Sequence, residues 1–338
     1  MRLTLPTGLG LGFLALGLAY ILWKAFTLTD QPIDFKYLWL AGYLWDEGIN
    51  PYGPQYYEIS QTIFTTGTVP EIWVYPPHFW WLMAPHALLP FEVATLVWRG
   101  FGVLMVLLAG WGFWAATRHV YPGVPPARGM AMVALLTLSS ATAGCLAIGQ
   151  TSLVILAGAG LYAYAYASGS RLLMMLALAI LMLKPNIGLA FSLFLFVQRP
   201  WTLTVIGGGI FTLALSAPAL MIGGPVETIL QWFARLGEWG QFDANEADAT
   251  TGLRHLIWLG TGISIPPLVF AAISGGVAIW LGLRRTESGP EDRLLSVAML
   301  LALVQMMIPL HGYDAMLLIP LALLTVGLHW FWQALAIV

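Results

Sequence analysis

Residues 30–37 read DQPIDFKY, and residues 50–52 read NPY. This stretch follows the first apolar run and opens a polar, aromatic-rich segment in a chain that is otherwise compatible with hydrocarbon. An acid such as Asp34, placed where a membrane meets water, is the first feature to explain. The stretch therefore predicts a boundary, at which the chain leaves a membrane-crossing helix and carries an acid at the exit.

The composition of the whole chain is typical of membrane proteins. Hydrophobic residues make up 59% of it and charged residues only 9%, whereas soluble domains carry about 25% charged residues. A net charge of −2 provides no basic surface for a nucleic acid. The single cysteine, Cys145, allows neither an internal disulfide nor a zinc cluster. We therefore expect an all-α polytopic membrane protein with no nucleic-acid partner.

Apolar runs of helical length recur along the chain. A helix of about 20 apolar residues crosses a bilayer, and on this basis we predict about ten transmembrane helices. The predicted segments are 8–26, 94–117, 129–148, 151–168, 172–184, 187–198, 201–221, 264–283, 294–310 and 314–333. The two on either side of Lys184-Pro185 are unusually short, which predicts a bend there. The first run lacks an obvious signal-peptidase site, so we interpret it as a retained span.

Two longer polar segments separate these spans within a single predicted domain, 1–338. The first outer loop covers about 28–93 and the late outer loop about 222–260. In the first loop, one set of residues recurs at helical spacing and predicts a helix lying on the membrane surface. This set is Phe35, Leu38, Trp39, Gly42 and Trp45. A second apolar piece, Phe79 to Leu89, is too short to cross and is predicted to lie on the surface or re-enter.

Lysine and arginine residues predict the orientation, because they are enriched in cytoplasmic loops. With the N-terminus inside, eight such residues fall on the inner side and six on the outer side. Most of the acids then fall in the two outer loops. We therefore expect both termini in the cytoplasm and the stretch around Asp34 outside.

Asp34 is the leading candidate for chemistry. It could act as a general base, or orient an acceptor hydroxyl, at the mouth of a membrane cavity. The alternative is a helix N-cap, because Pro32 precedes it and a helix is predicted to follow. Asp30, before the proline, is interpreted as solvated loop.

Lys184 is the second candidate, since a lysine between two short apolar halves could hold a phosphate as a point charge. Its alternative is a side chain that extends to the outer surface. His311 could donate to a phosphate oxygen, whereas Tyr313 and Asp314 could contact hydroxyls; an ordinary interfacial loop is the alternative for all three. Arg99 could pair with a phosphate or with an outer-loop acid.

Gln150 lies in the turn before the predicted segment 151–168. Its amide could bind a sugar hydroxyl. A helix-capping role for the neighbouring Thr151 or Ser152 is an equal alternative.

At these residues the chain resembles the polyprenyl-phosphate-dependent glycosyltransferases of family 87, which have the GT-C fold and include mycobacterial mannosyl- and arabinofuranosyltransferases. The matching features run through nearly the whole chain. They are Asp34-Phe35 with Tyr37 and Ala41, Gly48, Asn50-Pro51-Tyr52, Tyr75-Pro76-Pro77, Gly149-Gln150, Lys184-Pro185, and His311 with Tyr313. The stretch from Asn245 to Leu253 departs from the family by lacking an Asn-Gln-Ser match.

The resemblance implies a GT-C-type fold with surface-lying helices in the first outer loop and a catalytic Asp34. Lys184 and His311 would bind the phosphate of a polyprenyl-phosphate sugar, and transfer would invert the anomeric centre without a metal or other cofactor. Side chains from the matching motifs would contact substrate, namely Tyr37, Asn50, Tyr52, Tyr75, Gln150 and Tyr313, and we expect the same of the neighbouring Asp314.

The predicted function is therefore transfer of a mannose- or arabinofuranose-like sugar to a lipid or glycan acceptor. We expect it at the periplasmic face of the inner, or plasma, membrane. A transporter or flippase of a lipid-linked or small polar substrate is the first alternative, because short helices broken around Lys184 suit that class. A scaffold subunit without catalysis is the second.

Overall fold

A computed structural model describes residues 7–28, 32–65, 67–285 and 289–325. Within these ranges the chain forms helices and no strand, so the all-α prediction is confirmed. The helices are α1 (Thr7–Thr27), α2 (Ile33–Asp46), α3 (Gln55–Ile63), α4 (Trp80–Ala87), α5 (Phe91–Val120), α6 (Pro126–Leu138), α7 (Ser140–Ile148), α8 (Ser152–Ser168), α9 (Arg171–Leu181), α10 (Pro185–Phe196), α11 (Thr202–Gly223), α12 (Pro225–Trp239), α13 (Leu253–Thr261), α14 (Pro267–Arg284), α15 (Pro290–Met307) and α16 (Leu321–Leu324). Three 3₁₀ helices, Pro77–Phe79, Asp243–Asn245 and Gly312–Leu318, complete the described part.

Four described helices, α1, α5, α11 and α14, are long and apolar enough to cross a membrane. The pair α6 and α7, bent by 51° at the break between them, makes a fifth candidate if it is one span. Other predicted spans coincide with shorter helices, such as α8 with 17 residues and α9 with 11. The chain is thus a multi-pass membrane protein, while the count of ten stays a prediction. Residues 326–333 of the last predicted segment lie outside the described residues.

The bundle is organised around the contact between α5 and α8, which is the most extensive helix pair. Gly112 of α5 and Gly160 of α8 allow the two backbones to approach, since a Cβ atom added at Gly112 would lie 2.6 Å from the carbonyl carbon of Gly160. Small residues at such a crossing are how membrane helices gain packing contact. One cluster of buried hydrophobic side chains extends from Ile21 to Leu324.

The first outer loop folds onto the end of this bundle. The predicted helix is present as α2, and it packs against α4. It is buried over more of its circumference than the spacing predicted, because Leu40 and Leu44 are buried as well as Phe35 and Leu38. Its position relative to the membrane surface stays a prediction.

Candidate active site

Asp34 lies in the first turn of α2, where the partial positive charge of a helix N-terminus favours a carboxylate. The N-cap position is taken by Pro32, so the capping alternative for Asp34 was wrong. Its Oδ2 atom instead accepts a hydrogen bond of 2.8 Å from Nε2 of Gln150. The acid of the first loop is therefore tied to the turn between α7 and α8.

Gly149 makes this approach possible. It ends α7 with a φ of +75°, in the left-handed region that favours glycine. A Cβ atom added there would lie 2.5 Å from Cβ of Phe35, the residue after Asp34. The carbonyl oxygen of Gly149 also accepts a 2.9 Å hydrogen bond from Nε1 of Trp98. The turn is thus held by α5 while α2 packs directly on it.

Gln150 is the centre of a hydrogen-bond network. Its Nε2 donates to Asp34 and also to the hydroxyl oxygen of Tyr313, at 2.9 Å. Its Oε1 accepts from the hydroxyl of Tyr75 at 3.1 Å and from the backbone N–H of Thr151 at 2.7 Å. Both ends of the amide are therefore used, and Gln150 orients the groups around it.

Lys184 is directed into the protein. It precedes Pro185 at the break between α9 and α10, and its Nζ donates to Oγ of Ser152 at 2.6 Å and to Oδ1 of Asp314 at 3.0 Å. The side chain of Lys184 is 12% exposed and that of Asp314 only 2%. The alternative in which Lys184 extends to the outer surface was therefore wrong. A buried pair of this kind needs extra hydrogen bonds, and Ser152 supplies one by donating to Asp314 at 2.5 Å.

His311 is the N-cap residue of the 3₁₀ helix that carries Tyr313 and Asp314. Its backbone N–H donates to Oδ2 of Asp314 at 3.3 Å, so both oxygens of this carboxylate have partners. The ring of His311 lies 5.3 Å from that of Tyr313, centroid to centroid. Lys184 Nζ lies 5.6 Å from the centroid of the Tyr313 ring. Tyr313 therefore stands between the Asp34 side of the cluster and the Lys184 side.

Burial and charge tune the two groups of the cluster that could move a proton. Burial raises the pKa of Asp34 from 3.8 to about 6; the charge of Lys184 opposes this rise and that of Asp314 adds to it. Burial lowers the pKa of His311, and of the two nearby charges Asp314 opposes the lowering and Lys184 adds to it. At neutral pH this favours an ionised Asp34 close to its titration point and a neutral His311, whose ring is hydrogen-bonded to the backbone of Ala249.

An open hollow adjoins the cluster at the bend between α6 and α7. It has a volume of about 430 Å³, within the range of small-molecule sites. Tyr313 lines this hollow and also accepts the hydrogen bond from Gln150. The other lining residues are mostly small: Ser139, Ser140, Ala141, Gly144, Gly312, Ala315 and Ile319.

Other predicted site residues form hydrogen bonds that hold the loops in place. Arg99 donates from Nη1 to the carbonyl oxygen of Leu28 at 2.8 Å. Asn50 donates to Oε1 of Gln231 in α12 at 2.9 Å. Tyr52 is fully buried.

The hydroxyl of Tyr52 donates to the carbonyl oxygen of Tyr75 at 2.6 Å. Tyr37 is half-buried, and its carbonyl oxygen accepts from Tyr56 at 3.1 Å. Tyr37 lies close enough to Asp34 for that charge to raise its pKa, after the larger effects of burial and of Glu71. Asp30 lies outside the described residues.

Ser152 is the member of the cluster that sequence reasoning missed as a functional residue. Its place after Gln150-Thr151 indicated at most a helix cap, whereas Thr151 occupies the N-cap position of α8. Nothing local in the sequence signals the contact with Lys184, which is 32 residues away.

The described residues contain no group of three or more His, Cys, Asp or Glu side chains placed to hold a metal ion. Metal-independent chemistry stays a prediction, because no observation here tests it.

Comparison with known proteins gives one result that bears on identity. The family model described as glycosyltransferase family 87 matches residues 73–309, which is more than half of the chain. Gln150 and Lys184 fall within the matched part, whereas Asp34 and His311 fall outside it. Neither the curated proteins nor the solved structures contain a significant match to the chain. On the family match, together with its membrane-spanning helices, this chain belongs to glycosyltransferase family 87 and is a membrane glycosyltransferase.

Proposed function

We propose that this protein is an inverting glycosyltransferase that moves a sugar from a polyprenyl-phosphate donor to a lipid or glycan acceptor at the outer face of the membrane. One observation carries the proposal. Asp34, with a pKa raised to about 6, is joined through Gln150 and Tyr313 to the site where Lys184 pairs with Asp314. A base and a cation thus share one cluster, with one side for the acceptor and one for the departing phosphate.

Asp34 acts as the general base. Its carboxylate takes the proton of the acceptor hydroxyl as the acceptor oxygen forms a bond to the anomeric carbon. The bond from that carbon to the phosphate oxygen breaks on the opposite face, and its electron pair leaves with the phosphate. A single displacement of this kind inverts the anomeric centre. Gln150 holds Asp34 in the orientation that the attack requires.

Lys184 stabilises the phosphate that departs. Its ammonium has three N–H groups, and Ser152 and Asp314 accept two of them. The third can point to a phosphate oxygen, where the charge of the leaving group develops. His311 lies on the same side with its ring hydrogen-bonded to the backbone of Ala249, and a phosphate oxygen would have to replace that partner to accept from the ring. The hydroxyl of Tyr313, which accepts from Gln150, keeps its own proton to donate to a substrate oxygen.

The hollow of about 430 Å³ beside Tyr313 supports a lipid-linked donor. It opens next to the bent pair α6 and α7, which together are apolar and long enough to cross a membrane. A polyprenyl chain could leave the cluster past Tyr313 through this hollow, toward the α6–α7 pair. A water-soluble nucleotide sugar needs no such path.

Family membership favours transfer over the transporter or flippase alternative. Transporters commonly bind their substrate at the bilayer midplane. Here Asp34, at the start of a helix of the first outer loop, is part of the cluster. The scaffold alternative is disfavoured because the acid, the lysine and the residues that orient them form one connected network.

The test is transfer by the purified protein in lipid vesicles, using radiolabelled polyprenyl-phosphate mannose or arabinofuranose and a membrane extract as acceptor. We expect labelled, extractable product from the wild-type protein and none above background from Asp34→Asn, with donor binding retained. Asp46→Asn, an exposed acid at the end of the same helix, is the matched control and keeps full activity. Full activity of Asp34→Asn would remove Asp34 as the base, and accumulation of intact donor inside the vesicles would favour a flippase.

A further inference from the structure

α12 exposes a stripe of apolar side chains at the place where the chain leaves a membrane-spanning helix. The span α11 ends at Gly223, and α12 begins at Pro225 after a single glycine. Val226, Leu230 and Phe233 are 73%, 61% and 60% exposed. Their spacings of four and three residues place them on one face of the helix.

α13 repeats this arrangement on the other side of the late outer loop. Its Leu256 and Leu259 are exposed, as is Ile263 just after the helix. The next span, α14, begins a few residues later at Pro267. Two helices with exposed apolar faces therefore lie next to two candidate spans in the chain.

The opposite face of α12 is bound to the first outer loop by hydrogen bonds that include those of Gln231, Trp232 and Arg235. Gln231 accepts from Asn50 at 2.9 Å. Trp232 donates from Nε1 to the carbonyl oxygen of Val74 at 2.9 Å. Arg235 donates from Nε to the carbonyl oxygen of Tyr52 at 2.9 Å. α12 thus exposes its apolar stripe on one face and binds, with the opposite face, the loop that carries part of the candidate site.

The bound loop leads directly to Asp34. Val74 precedes Tyr75, and Tyr52 donates to the carbonyl oxygen of Tyr75. The hydroxyl of Tyr75 donates to Gln150, which in turn donates to Asp34. A displacement of α12 would therefore be transmitted to the orientation of the acid through a short chain of hydrogen bonds.

We propose that α12 lies on the outer lipid surface by its Val226–Leu230–Phe233 stripe, and that this contact holds the first outer loop so that Tyr75 and Gln150 position Asp34. The occupant of the stripe is the bilayer surface, because α12 begins one residue beyond a candidate span and because α13 carries a similar exposed apolar face beside the next one. The site thus depends on an intact membrane as well as on its own residues. The positioning of Asp34 rests on the proposed function, whereas the position of α12 on the lipid surface does not.

Site-directed spin labelling tests the position of α12 without using activity. The single native cysteine, Cys145, is fully buried, so a label placed on Leu230→Cys reports from that site. In vesicles we expect this label to collide more with oxygen than with a water-soluble nickel chelate. A label on Glu238→Cys, an exposed position on a different face of the same helix, should show the reverse.

Two results of this labelling would overturn the proposal. A Leu230 label that is as accessible to the nickel chelate as the Glu238 label would place the stripe in water. Spin–spin broadening confined to the Leu230 label would show that a second copy of the chain covers the stripe instead of lipid.

The coupling to the site is tested with Trp232→Phe, which keeps an aromatic ring but loses the N–H that bonds Val74. We expect kcat to fall about threefold to tenfold, the effect of one lost hydrogen bond, with the donor KM unchanged. The double variant Leu230→Gln, Phe233→Gln should lower kcat in the same way in vesicles. Leu203→Gln, an exposed residue on α11 away from α12, is the control. Unchanged kcat in Trp232→Phe would contradict the role of α12 in positioning Asp34, even if the labels place α12 on the lipid surface.

Discussion

At the scale of single residues, the candidate site joins one acid with a raised pKa to one buried ion pair. Asp34 is held by Gln150, and Lys184 is held by Asp314 and Ser152. The Asp34 carboxylate and the Lys184 ammonium therefore each have a partner within the protein. A substrate that binds meets these two groups already oriented. Such preorganisation is the main way in which a protein stabilises charge that develops during a reaction.

The pH dependence of transfer should report the ionisation of Asp34. Because only the carboxylate accepts a proton, kcat/KM should rise with pH through about 6, the pKa to which burial raises Asp34. The free energy of unfolding should change in the opposite direction. The folded pKa lies above the ordinary value of 3.8 for an aspartate, so the folded state binds the proton more tightly and loses stability as pH rises from about 4 to about 6.

The measurements are a pH–rate profile and thermal melting of the purified protein across that range. Asp46→Asn should keep both dependences, whereas Asp34→Asn should lose the stability change. A rate independent of pH between about 5 and about 8 would contradict the assignment of Asp34 as the base.

The two charges beside Asp34 should shift this profile in opposite directions. Lys184→Met removes the charge that lowers the pKa of Asp34, so the rise in rate should move to higher pH. Asp314→Asn removes the charge that raises it, so the rise should move to lower pH. Lys24→Ala, at the last turn of α1, serves as the control. Shifts of the pH profile with the same sign in Lys184→Met and Asp314→Asn would argue against the arrangement described.

Lys184→Met should also increase the donor KM by roughly 10- to 100-fold, the effect of losing a charged hydrogen bond.

At the scale of elements, the site depends on how closely α2 approaches the turn between α7 and α8. That turn must carry glycine at position 149, because of both its φ of +75° and its contact with Phe35. The helix α2 could form without this contact. Its place against Gln150 could not.

Gly149→Ala should therefore reduce both stability and transfer. A side chain in the left-handed region costs about 1–2 kcal/mol, and the added Cβ would also displace Phe35, and with it Asp34. Gly209→Ala in α11 has open space around it and should instead be neutral or stabilise by up to about 1 kcal/mol. The comparison is of melting temperature and of kcat for both variants. Equal melting temperatures and equal kcat values for the two variants would show that stability and transfer do not depend on the close approach of α2 to this turn.

At the scale of the whole molecule, the helices bring distant loops to one end of the bundle. Asp34 and Gln150 are 116 residues apart in sequence, and Lys184 and Asp314 are 130 apart. The late outer loop reaches the same end, since α12 binds the first outer loop. If the charge bias predicts the orientation correctly, this end faces the outside of the cell.

Labelling of introduced cysteines in intact cells tests that orientation. Asp46→Cys, in the first outer loop, should react with a membrane-impermeant maleimide added from outside, because its position is exposed. Arg118→Cys, exposed at the other end of α5, should react only after the cells are opened. The buried Cys145 should give no background, and the reverse pattern would place the candidate site on the cytoplasmic side.

The sequence by itself determined the class of the protein, the positions of its long apolar helices and the residue types that could carry its chemistry, but not α3, α12 and α13 in the polar segments. These properties are local or compositional: low charge, apolar runs and a proline or glycine at a break can be read from neighbouring residues. The family likeness added an expected reaction, and the family match confirmed that resemblance.

Only the tertiary structure decided which of these residues meet. Gln150 turned out to orient Asp34, Asp314 to pair with Lys184, and Asn50 and Tyr52 to fasten loops. Ser152 joined the cluster with no local signal. The physical reason is that each of these hydrogen bonds links residues far apart in the chain, and their partners depend on how the helices pack, which periodicity along one segment does not specify.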